Sequence, residues 1–462
     1  MSPATGSPGT GSAVVVIGGG PAGMAAARAA AQAGAEVLLV DSGAALGGQY
    51  HRQNSLSGGE RFTLPVGVEH LAESEVWALE SVPGGQRVHV RTGPADSPER
   101  AGRTVDTPAL VLATGAYDRA LPFPGWELPG VFTAGAAQAL AKGQGIAVGD
   151  RVLLAGTGPF LLPVAESLAG VGAEVTEVLE AGDPVTGWLA APAGVVAGGR
   201  GRAAELARYA ALLGRARIPY RRRSTVIEAH GTERVEAATV ARLDAGWRVV
   251  PGSERRVPVD AVCVGFGFTP QLELAVGVGC ELVGGFVAVD IAQATSTPGV
   301  FAAGELTGIG GAELAAAEGE IAGTAAAKLL GARPDPPVRA LRQVRSGRRF
   351  AAALDRAYPV RDGWHTWLRD DTVVCRCEEV TCGELRRAVA DRDATGVRSV
   401  KLVSRAGLGP CQGRVCGRNV AELTHLDDPG AAFARRPVAA PVRLGELADA
   451  PLEPSTDQEE QA

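Results

Sequence analysis

Four cysteines near the carboxyl end of the chain have the residue type and spacing of an iron–sulfur or metal centre. Cys375 and Cys377 form a C-x-C pair, and Cys411 and Cys416 form a C-x-x-x-x-C pair after 33 intervening residues. Four thiolates suffice to hold one [2Fe-2S] cluster, which is a one-electron carrier. A structural zinc site with four thiolates is the alternative, although zinc sites more often use C-x-x-C pairs.

Glycines and arginines surround these cysteines. Glycines let backbone amides approach the sulfurs, and arginines offset the charge of an anionic cluster, so both raise its reduction potential. These residues are Gly407, Gly409, Gly413, Gly417, Arg376, Arg405, Arg414 and Arg418. The odd total of seven cysteines favours metal or redox chemistry in a reducing compartment over disulfides. Cys263, Cys280 and Cys382 receive no functional role.

A glycine motif near the amino end predicts a dinucleotide site. Gly18, Gly20 and Gly23 form G-x-G-x-x-G, with Pro21 and Ala22 between the last two glycines. The motif follows an apolar strand pattern and opens a helix, where bare amides and the helix dipole hold a pyrophosphate. Asp41, at the end of the next predicted strand, is placed to accept hydrogen bonds from a ribose 2′-hydroxyl.

Three further segments are expected at this site. They are Ala113, Thr114 and Gly115 in an A-T-G turn, Gly304 and Glu305 in T-P-G-V-F-A-A-G-E, and Gly48 and Gln49 in L-G-G-Q. The carboxylate of Glu305 is expected to reach a ribityl or ribose hydroxyl. Gln49 and His51 stand where a redox disulfide would follow the second strand in a disulfide reductase. No catalytic acid or base is identified by spacing.

A second, degraded copy of the motif begins 138 residues later. Gly156 and Gly158 keep two glycines, whereas Leu161 replaces the third and Leu179 replaces the acid. Glu180 is one residue late, so a period-two strand would turn it to the other face. Because no arginine pair follows this strand, NAD(H) is expected here rather than NADP. A vacant fold that only packs the core is the alternative.

The elements needed to position these residues are those of an α/β protein with two Rossmann-like folds, the second inserted in the first. The predicted segments are a flexible leader (1–12), a discontinuous first dinucleotide-binding domain (13–122 and 262–331), an NAD-binding-like insert (123–261), a linker (332–372), a small helical [2Fe-2S] domain (373–428) and a flexible tail (429–462). Length and apolar content are ample for such an assembly.

Composition excludes several classes of function. A net charge of −6, a pI near 5.7 and an aromatic content of 5% argue against nucleic-acid binding. The start of the chain lacks the charged and apolar regions of a signal peptide, and no run of about 18 apolar residues predicts a membrane span. We expect a cytoplasmic protein.

Two resemblances follow from these motifs. The glycine motif, A-T-G turn and A-A-G-E segment resemble glutathione-reductase-like FAD proteins over roughly the first 330 residues, although Glu305 stands where that family often has aspartate. C-R-C-E-E-V-T and the cysteine spacing resemble the bacterioferritin-associated-ferredoxin-like domain. The flavin half has no C-x-x-C pair, so disulfide exchange is excluded.

With L-G-G-Q, P-G-W-E-L-P-G-V-F-T-A-G-A-A-Q and G-T-G-P-F-L-L-P, the whole chain resembles the larger subunit of heteromeric amine and opine dehydrogenases. That family includes octopine and nopaline oxidases, hydrogen cyanide synthase, proline or hydroxyproline dehydrogenases and sarcosine oxidase. The resemblance implies FAD, [2Fe-2S] and a smaller FAD-containing partner that oxidises the amino acid, while this chain relays electrons to an acceptor. It also implies that NAD or ATP can replace FAD in the first fold and that FMN can lie at the subunit interface.

Two other functions stay open at this stage. One is a stand-alone NAD(P)H-dependent reductase that passes hydride to FAD and single electrons to the cluster. The other is a largely structural subunit whose nucleotide and metal hold the fold together.

Overall fold

The computed structural model describes residues 13–54, 62–94, 97, 99–189, 207–427 and 429–448. The predicted leader and residues 449–462 of the predicted tail lie outside the described residues. No helix in the described part of the chain is long and apolar enough to cross a membrane.

The strands, numbered in chain order, are β1 (Val14–Ile17), β2 (Val37–Val40), β3 (Val68–Leu71), β4 (Ser74–Val82), β5 (Gly85–Thr92), β6 (Ala101–Thr107), β7 (Ala109–Leu112), β8 (Ala116–Asp118), β9 (Val131–Thr133), β10 (Arg151–Gly156), β11 (Glu174–Glu180), β12 (Tyr220–Arg222), β13 (Ser224–His230), β14 (Ala237–Arg242), β15 (Arg255–Pro258), β16 (Ala261–Gly265), β17 (Phe268–Pro270), β18 (Leu282–Val283), β19 (Phe286–Val287), β20 (Val300–Ala302), β21 (Val373–Cys375) and β22 (Val380–Thr381).

The helices are α1 (Pro21–Gln32), α2 (Ala134–Gln144), α3 (Leu161–Gly170), α4 (Pro184–Leu189), α5 (Glu273–Gly277), α6 (Ala312–Leu329), α7 (Val338–Ala357), α8 (Cys382–Arg392), α9 (Val397–Ser404), α10 (Gly417–Leu423) and α11 (Leu444–Ala448). Residues 207–215 are also helical. Short 3₁₀ turns cover Gly304–Leu306 and Asp362–Trp367.

The first fold is a parallel sheet in the order β20-β7-β1-β2-β3, with the β4-β5-β6 meander inserted after β3. Strands β1, β2 and β7 are Val, Leu and Ile runs buried at every position, because helices and the meander cover both faces. Strand β20 comes from late in the chain and pairs with β7, so the strands of the first sheet are not contiguous in sequence.

The second fold is a sheet in the order β12-β11-β10-β16-β9. The β13-β14-β15 meander lies between β12 and β16 in the chain. Strand β16 belongs to this second sheet, where it lies between β10 and β9. The chain therefore crosses back at β17, which pairs with β8, a few residues later than the predicted boundary at 262. The predicted two-fold α/β architecture is otherwise as expected.

Helices α1 and α6 pack directly on one another beside the first glycine turn. A Cβ at Gly319 would stand 2.0 Å from the carbonyl oxygen of Ala22, and one at Gly323 would stand 2.1 Å from that of Ala26. Two glycines on α6 therefore let the helix backbones touch. This contact fixes the angle at which α1 leaves the glycine turn.

The cysteine module docks on the crossover that leaves β8. Trp126 Nε1 donates to the carbonyl oxygen of Val373 at 2.5 Å, and Asn419 Nδ2 donates to that of Ala120 at 2.8 Å. Linker helix α7 precedes the module and packs against α4, where the rings of Trp188 and Phe350 stack at 5.6 Å. The module and the second fold share one buried core.

Residues 429–448 correct the prediction of a flexible tail, because they pack across the molecule. Phe433 and Ala439 are buried, and the Ala439 amide donates to the carbonyl oxygen of Trp77 at 2.7 Å. Glu446 of α11 makes a buried ion pair with Arg100 at 2.8 Å. Alanines and one phenylalanine provide the apolar contacts of this segment. Because the segment is rich in Pro and Ala, its sequence did not indicate that it packs against the rest of the protein.

Replacing Gly319 by alanine is expected to lower the free energy of unfolding by about 1–3 kcal/mol, because the methyl group would overlap a rigid backbone carbonyl. The matched control is Gly170→Ala, where no atom lies within 4 Å of the added carbon. That change should be neutral or add up to about 1 kcal/mol. Urea denaturation curves compare the two, and equal stability of both variants would contradict the packing described.

Candidate functional site

The first glycine turn joins β1 to α1 and leaves room for a phosphate. Gly18 has a φ of +108°, and a Cβ on Gly23 would stand 1.7 Å from the carbonyl oxygen of Gly18. Gly20 caps α1, Pro21 is the first helical residue, and nothing lies within 4 Å of the Cβ position of Gly20. Because the first-turn amides of a helix have no intrahelical acceptor, they point to this open space.

Asp41 lies beside the turn, directly after β2. Its carboxylate accepts hydrogen bonds from the amides of Gly19, Ser42 and Gly43. Burial raises the pKa of Asp41, and these three bonds oppose that shift. The side chain is half-buried, so it retains access from the side where a ribose would lie.

The loop after β2 covers the turn. Gly48 has a φ of +57°, and a Cβ there would stand 2.9 Å from Cα of Gly20. Gln49 is exposed, and its Oε1 accepts a hydrogen bond from Arg52 at 2.8 Å. The ring of His51 lies 5.3 Å from that of Phe62. Gly48 thus touches the turn, whereas Gln49 and His51 are engaged by neighbouring side chains.

The A-T-G turn at the end of β7 lies against both β1 and the segment before α5. The Ala113 amide donates to the carbonyl oxygen of Ile17 at 2.8 Å. Thr114 Oγ1 donates to the carbonyl oxygen of Gln271 at 3.1 Å, and the Gln271 amide donates back to Gly115 at 3.0 Å. This exchange joins the A-T-G turn to the start of α5.

Gly304 and Glu305 follow β20 on the same sheet edge. The Gly304 amide donates to Glu318 Oε2 at 2.9 Å, while Glu305 Oε1 accepts from the Gly311 amide at 3.0 Å. Burial raises the pKa of Glu305 to about 6, against the opposing bonds from the Gly311 and Gly310 amides. The carboxylate expected to reach a sugar hydroxyl is therefore already bonded to the loop before α6.

These residues fit a flavin dinucleotide. The ends of β1, β2, β7 and β20 meet at one edge of a parallel sheet, which is where dinucleotides bind such folds. That edge offers a glycine turn with open space above Gly20, the Asp41 carboxylate and a second open glycine at Gly115. Gly115 has a φ of +80°, so a side chain would be strained as well as placed in the open space.

The structure corrects the prediction for Glu180 in the second fold. The register between β10 and β11 shifts after Val152, so that Gly156 pairs with Glu180. The extra residue of this bulge returns the acid to the side of the turn that Asp41 occupies in the first fold. A period-two count from the sequence could not reveal a bulge.

The carboxylate of Glu180 occupies the space beside the second glycine turn. It accepts hydrogen bonds from Thr157 Oγ1 at 2.7 Å and from the amides of Gly158 and Gly182 at 3.0 and 2.8 Å. The residue is 0% exposed, and burial raises the pKa of its carboxyl against these bonds. Unlike Asp41, it presents no surface to a ribose.

Bulky residues occupy the helix start of the second turn. Leu161 is buried in the core beneath α3, and the Phe160 ring packs on that of Phe268 at 5.1 Å. The Leu162 amide donates to Pro159 within the turn, so that a potential phosphate donor is already used. The third-glycine position therefore differs from the first fold as predicted.

Two arginines distant in sequence lie beside β11, which the sequence analysis missed. Arg222 and Arg223, at the end of β12, both bond the carboxylate of Asp183, at 2.9 and 3.1 Å. They line a groove of about 630 Å³ together with three other arginines and several neutral residues. Strand β12 pairs with β11 and brings them there, so the inference from sequence neighbours was incomplete.

The four predicted ligand cysteines converge. Cys416 Sγ donates to Cys375 Sγ at 3.5 Å, Cys416 also contacts Cys411, and Cys411 contacts Cys377. Cys375 and Cys416 are buried, whereas Cys377 is exposed. Cys382 begins α8 and is not among the sulfurs that make these contacts.

Hydrogen bonds from Cys416 and from backbone amides favour the thiolate form of two of these cysteines. A hydrogen bond from Cys416 and amides of Gly407 and Glu378 lower the pKa of Cys375 to about 6, although burial opposes them. Bonds from Cys416 and from the Val415 amide, among others, lower the pKa of Cys411 to about 4. As the donor, Cys416 has a raised pKa.

The predicted glycines serve packing as well as amide access. The Gly407 amide donates to Cys375 Sγ at 3.5 Å, and a Cβ on Gly409 would stand 2.4 Å from Cβ of Cys377. A Cβ on Gly407, Gly413 or Gly417 would meet the ring of Phe433 at 2.5–2.7 Å. Phe433 was missed because it lies in the predicted tail, where it is the only aromatic residue.

The predicted arginines are mostly engaged elsewhere. Arg405 bonds Glu378 at 2.8 Å, Arg418 bonds Glu422 at 3.1 Å, and Arg376 lies over the ring of Trp126. The pairings reduce the positive charge that these side chains offer to a cluster.

Arg414 instead connects the cysteine loop to the flavin domain. Its Nε donates to Tyr117 Oη at 2.6 Å and lies 3.2 Å from Glu273 Oε1. Tyr117 donates to the same oxygen at 3.3 Å, and Arg436 from residues 429–448 bonds it at 3.2 Å. Sequence reasoning missed Tyr117, Glu273 and Arg436, whose one available signal was that Tyr117 stands two residues after the A-T-G turn.

The donor chemistry fits a [2Fe-2S] cluster, since four thiols in contact are surrounded by amide donors. Zinc also accepts four thiolates, but more often through C-x-x-C pairs, which these four cysteines do not form.

Comparison with known proteins assigns both halves of the chain. Residues 12–319 match the pyridine nucleotide-disulphide oxidoreductase family, and residues 373–425 match the BFD-like [2Fe-2S] binding domain. An opine oxidase subunit of Agrobacterium tumefaciens (strain Ach5) is 34% identical, over 95% of this chain and 92% of that protein. The hydrogen cyanide synthase subunit HcnB of Pseudomonas aeruginosa is 32% identical, over 87% of this chain and 90% of that protein.

Two other proteins are similar over different lengths. The alpha subunit of sarcosine oxidase from Corynebacterium sp. (strain P-1) is 29% identical over 56% of this chain, which is 27% of that protein. The crystal structure of L-proline dehydrogenase from P. horikoshii shares the fold, with a TM-score of 0.65 and 20% identity over 94% of this chain and 79% of that one. The chain belongs to the pyridine nucleotide-disulphide oxidoreductase family of FAD-dependent enzymes and carries a C-terminal BFD-like [2Fe-2S] domain.

Proposed function

We propose that this chain is the electron-relaying subunit of a heteromeric dehydrogenase in which a smaller FAD-containing subunit oxidises an amine or amino acid. The observation that carries the proposal is the contact between the cysteine loop and the strand that leaves the flavin site. Arg414, between Cys411 and Cys416, donates to Tyr117 at 2.6 Å, and Tyr117 stands two residues after Gly115.

The relatives support the class of reaction. The similar proteins from opine oxidase, hydrogen cyanide synthase and sarcosine oxidase are each named as one subunit of a larger enzyme. Opines and sarcosine are N-alkylated amino acids. An N-alkylated amino acid is therefore the substrate class that we assign to the complex, with the C–N bond as the site of oxidation.

We assign separate sets of residues to the two cofactors. The Gly18–Gly23 turn and Asp41 hold the FAD, with the A-T-G turn closing one side, and the four cysteines hold the cluster. When bound, FAD would supply two-electron chemistry and [2Fe-2S] one-electron chemistry, which together would convert a two-electron oxidation into one-electron steps. The protein sets the positions of the two cofactors and their reduction potentials.

The contact between the two sites is buried and charged. The side chains of Glu273, Arg436 and Arg414 are 8%, 11% and 18% exposed. Separating such a pair leaves a buried charge without a partner, so the interface resists opening. The residues that would hold the two cofactors are thereby kept in a fixed arrangement.

This chain lacks a dithiol relay of the disulfide reductase kind. No C-x-x-C or C-x-x-x-x-C pair occurs in residues 13–331, and the two cysteines of that part, Cys263 and Cys280, are buried separately. Burial raises the pKa of the Cys263 thiol, which makes it inert. Disulfide exchange is therefore not among the reactions that we assign to this chain.

A stand-alone NAD(P)H-dependent reductase is the second candidate. Arg222 and Arg223 beside Asp183 favour it, because they put positive charge near the place of a nucleotide ribose. The buried Glu180 in the second turn opposes it. A third candidate, a largely structural subunit, requires that neither cofactor changes its redox state.

Replacing Cys411 by serine is expected to remove the [2Fe-2S] cluster while FAD stays bound, because the two sites use separate residues. Cys382→Ser is the matched control, since that cysteine makes none of the described sulfur contacts. Iron per chain, visible absorption and flavin per chain report the result. A full complement of iron in the Cys411 variant, or loss of iron in the control, would show that the ligand set is wrong.

The proposed function predicts different absorption changes for the chain alone and for its complex. Under anaerobic conditions, the isolated chain should show flavin and iron–sulfur bands with two irons per chain, and NADH, an opine, L-proline or sarcosine should not bleach them. The complex purified from its native cells through a tag on this chain should bleach with one of the amino acids.

Each other outcome selects a different function. Bleaching of the isolated chain by NADH would establish the stand-alone reductase. Full reduction by an amino acid without a partner would place substrate oxidation in this chain, and no redox change in the complex with any donor would leave the structural subunit. All three contradict the relay.

A further inference from the structure

A buried carboxylate holds the turn that follows β20. Glu318 of α6 accepts hydrogen bonds at its Oε2 from the Gly304 amide at 2.9 Å and from Thr307 Oγ1 at 2.8 Å. Gly304 begins the 3₁₀ turn, and Thr307 is the residue that ends it. One carboxylate oxygen thus bonds both ends of the turn.

This turn lies against the first glycine motif of the candidate flavin site. A Cβ on Gly304 would stand 3.0 Å from Cβ of Ala22, which belongs to that motif. Gly319, the residue after Glu318, is the one whose Cβ would overlap the carbonyl oxygen of Ala22. Glu318 therefore lies where α6, the Gly304 turn and the start of α1 meet, and a shift of its carboxylate would move the turn away from α1.

The positive charge that pairs with Glu318 comes from the linker helix. Arg348 of α7 donates from Nε to Glu318 Oε1 at 3.0 Å, and its Nη2 lies 2.9 Å from the same oxygen. Arg348 Nη2 also donates to Thr307 Oγ1 at 3.4 Å. The neighbouring Gly347 permits this approach, because a Cβ there would stand only 2.9 Å from the side chain of Leu314 on α6.

A second carboxylate beside Glu318 makes this positive charge more important. Burial raises the pKa of Glu305 to about 6, and the negative charge of Glu318 contributes to that rise. Burial also raises the pKa of Glu318, whereas the charge of Arg348 opposes the shift. Of the described residues, Arg348 is the one cation that lowers this pKa. Without it, a buried negative charge would stand beside another acid with no cation to balance it.

We infer that Arg348 is a positioning residue of the FAD site, although it lies on the linker helix. It neutralises Glu318, and the neutralised carboxylate holds the Gly304 turn against α1. The pair is asymmetric, since the side chain of Arg348 is 41% exposed and that of Glu318 is 2% exposed. Glu318 without Arg348 stays buried as an unbalanced charge or takes up a proton, while Arg348 without Glu318 turns to solvent.

The test measures how fast FAD leaves the full-length holoprotein after dilution, through the fluorescence of the released flavin. Arg348→Met should speed the release about tenfold, because a weakened site loses its ligand mainly through the dissociation rate. Arg348→Lys should stay within about threefold of the unchanged protein, because both arginine nitrogens bond a single oxygen and an ammonium group can do the same. Glu318→Gln keeps an acceptor oxygen for the turn and should also change the rate by about threefold or less.

The double variant Glu318→Gln with Arg348→Met separates charge balance from packing. When position 318 carries no charge, the loss of Arg348 should have no further effect, so the double variant should retain FAD better than Arg348→Met alone. Arg349→Met is the matched control, since Arg349 is the next residue of α7 and is exposed. It should release FAD at the unchanged rate.

Three results would overturn the inference. They are an unchanged release rate in Arg348→Met, an equal acceleration in Arg349→Met, and an acceleration by Arg348→Met that is the same with glutamine as with glutamate at position 318. The last would show that Arg348 acts only by packing α7 on α6. Circular dichroism and iron content show which variants fold. Where Arg348→Met does not fold, faster release from the double variant than from Glu318→Gln contradicts the inference.

The inference rests on the assignment of FAD to the first fold and not on the electron relay. FAD release requires neither a substrate nor a partner subunit. Failure of the proposed function and failure of this inference are therefore seen in separate experiments.

Discussion

The buried cluster of Tyr117, Glu273, Arg414 and Arg436 is the interaction on which the architecture depends. It joins four segments far apart in sequence: the strand after the flavin site, α5, the cysteine loop and residues 429–448. One carboxylate, Glu273 Oε1, lies within 3.3 Å of all three partners. Because a buried charge without a partner is costly, the flavin and cysteine modules are held as one unit.

The two nucleotide folds share one architecture but differ in what occupies the glycine turn. In the first, the acid after β2 stays half-exposed and the turn stays open. In the second, Glu180 and Leu161 fill the corresponding space with buried contacts. The second fold has instead become a platform, since its core is continuous with that of the cysteine module.

The sequence predicted most of the fold and which segments meet at the two candidate sites, because glycine turns and cysteine spacing act locally. It failed where the outcome depends on distant pairing. A bulge in β11 moved Glu180, pairing with β12 brought Arg222 and Arg223 to Asp183, and Phe433 filled a space made by three glycines 16 to 26 residues earlier. Glu305 was predicted from its segment, but its hydrogen bond depends on a loop whose path the motif does not contain.

We expect electrons to pass from the flavin to the cluster within one chain, and flash photoreduction of the flavin can follow this transfer. After a flash under anaerobic conditions, the absorbances of the flavin and the cluster are followed at several protein concentrations. We expect the cluster to become reduced as the flavin is reoxidised, with a rate constant that does not change with protein concentration. A rate that rises in proportion to concentration, or a cluster that stays oxidised, would contradict a fixed contact between the two centres.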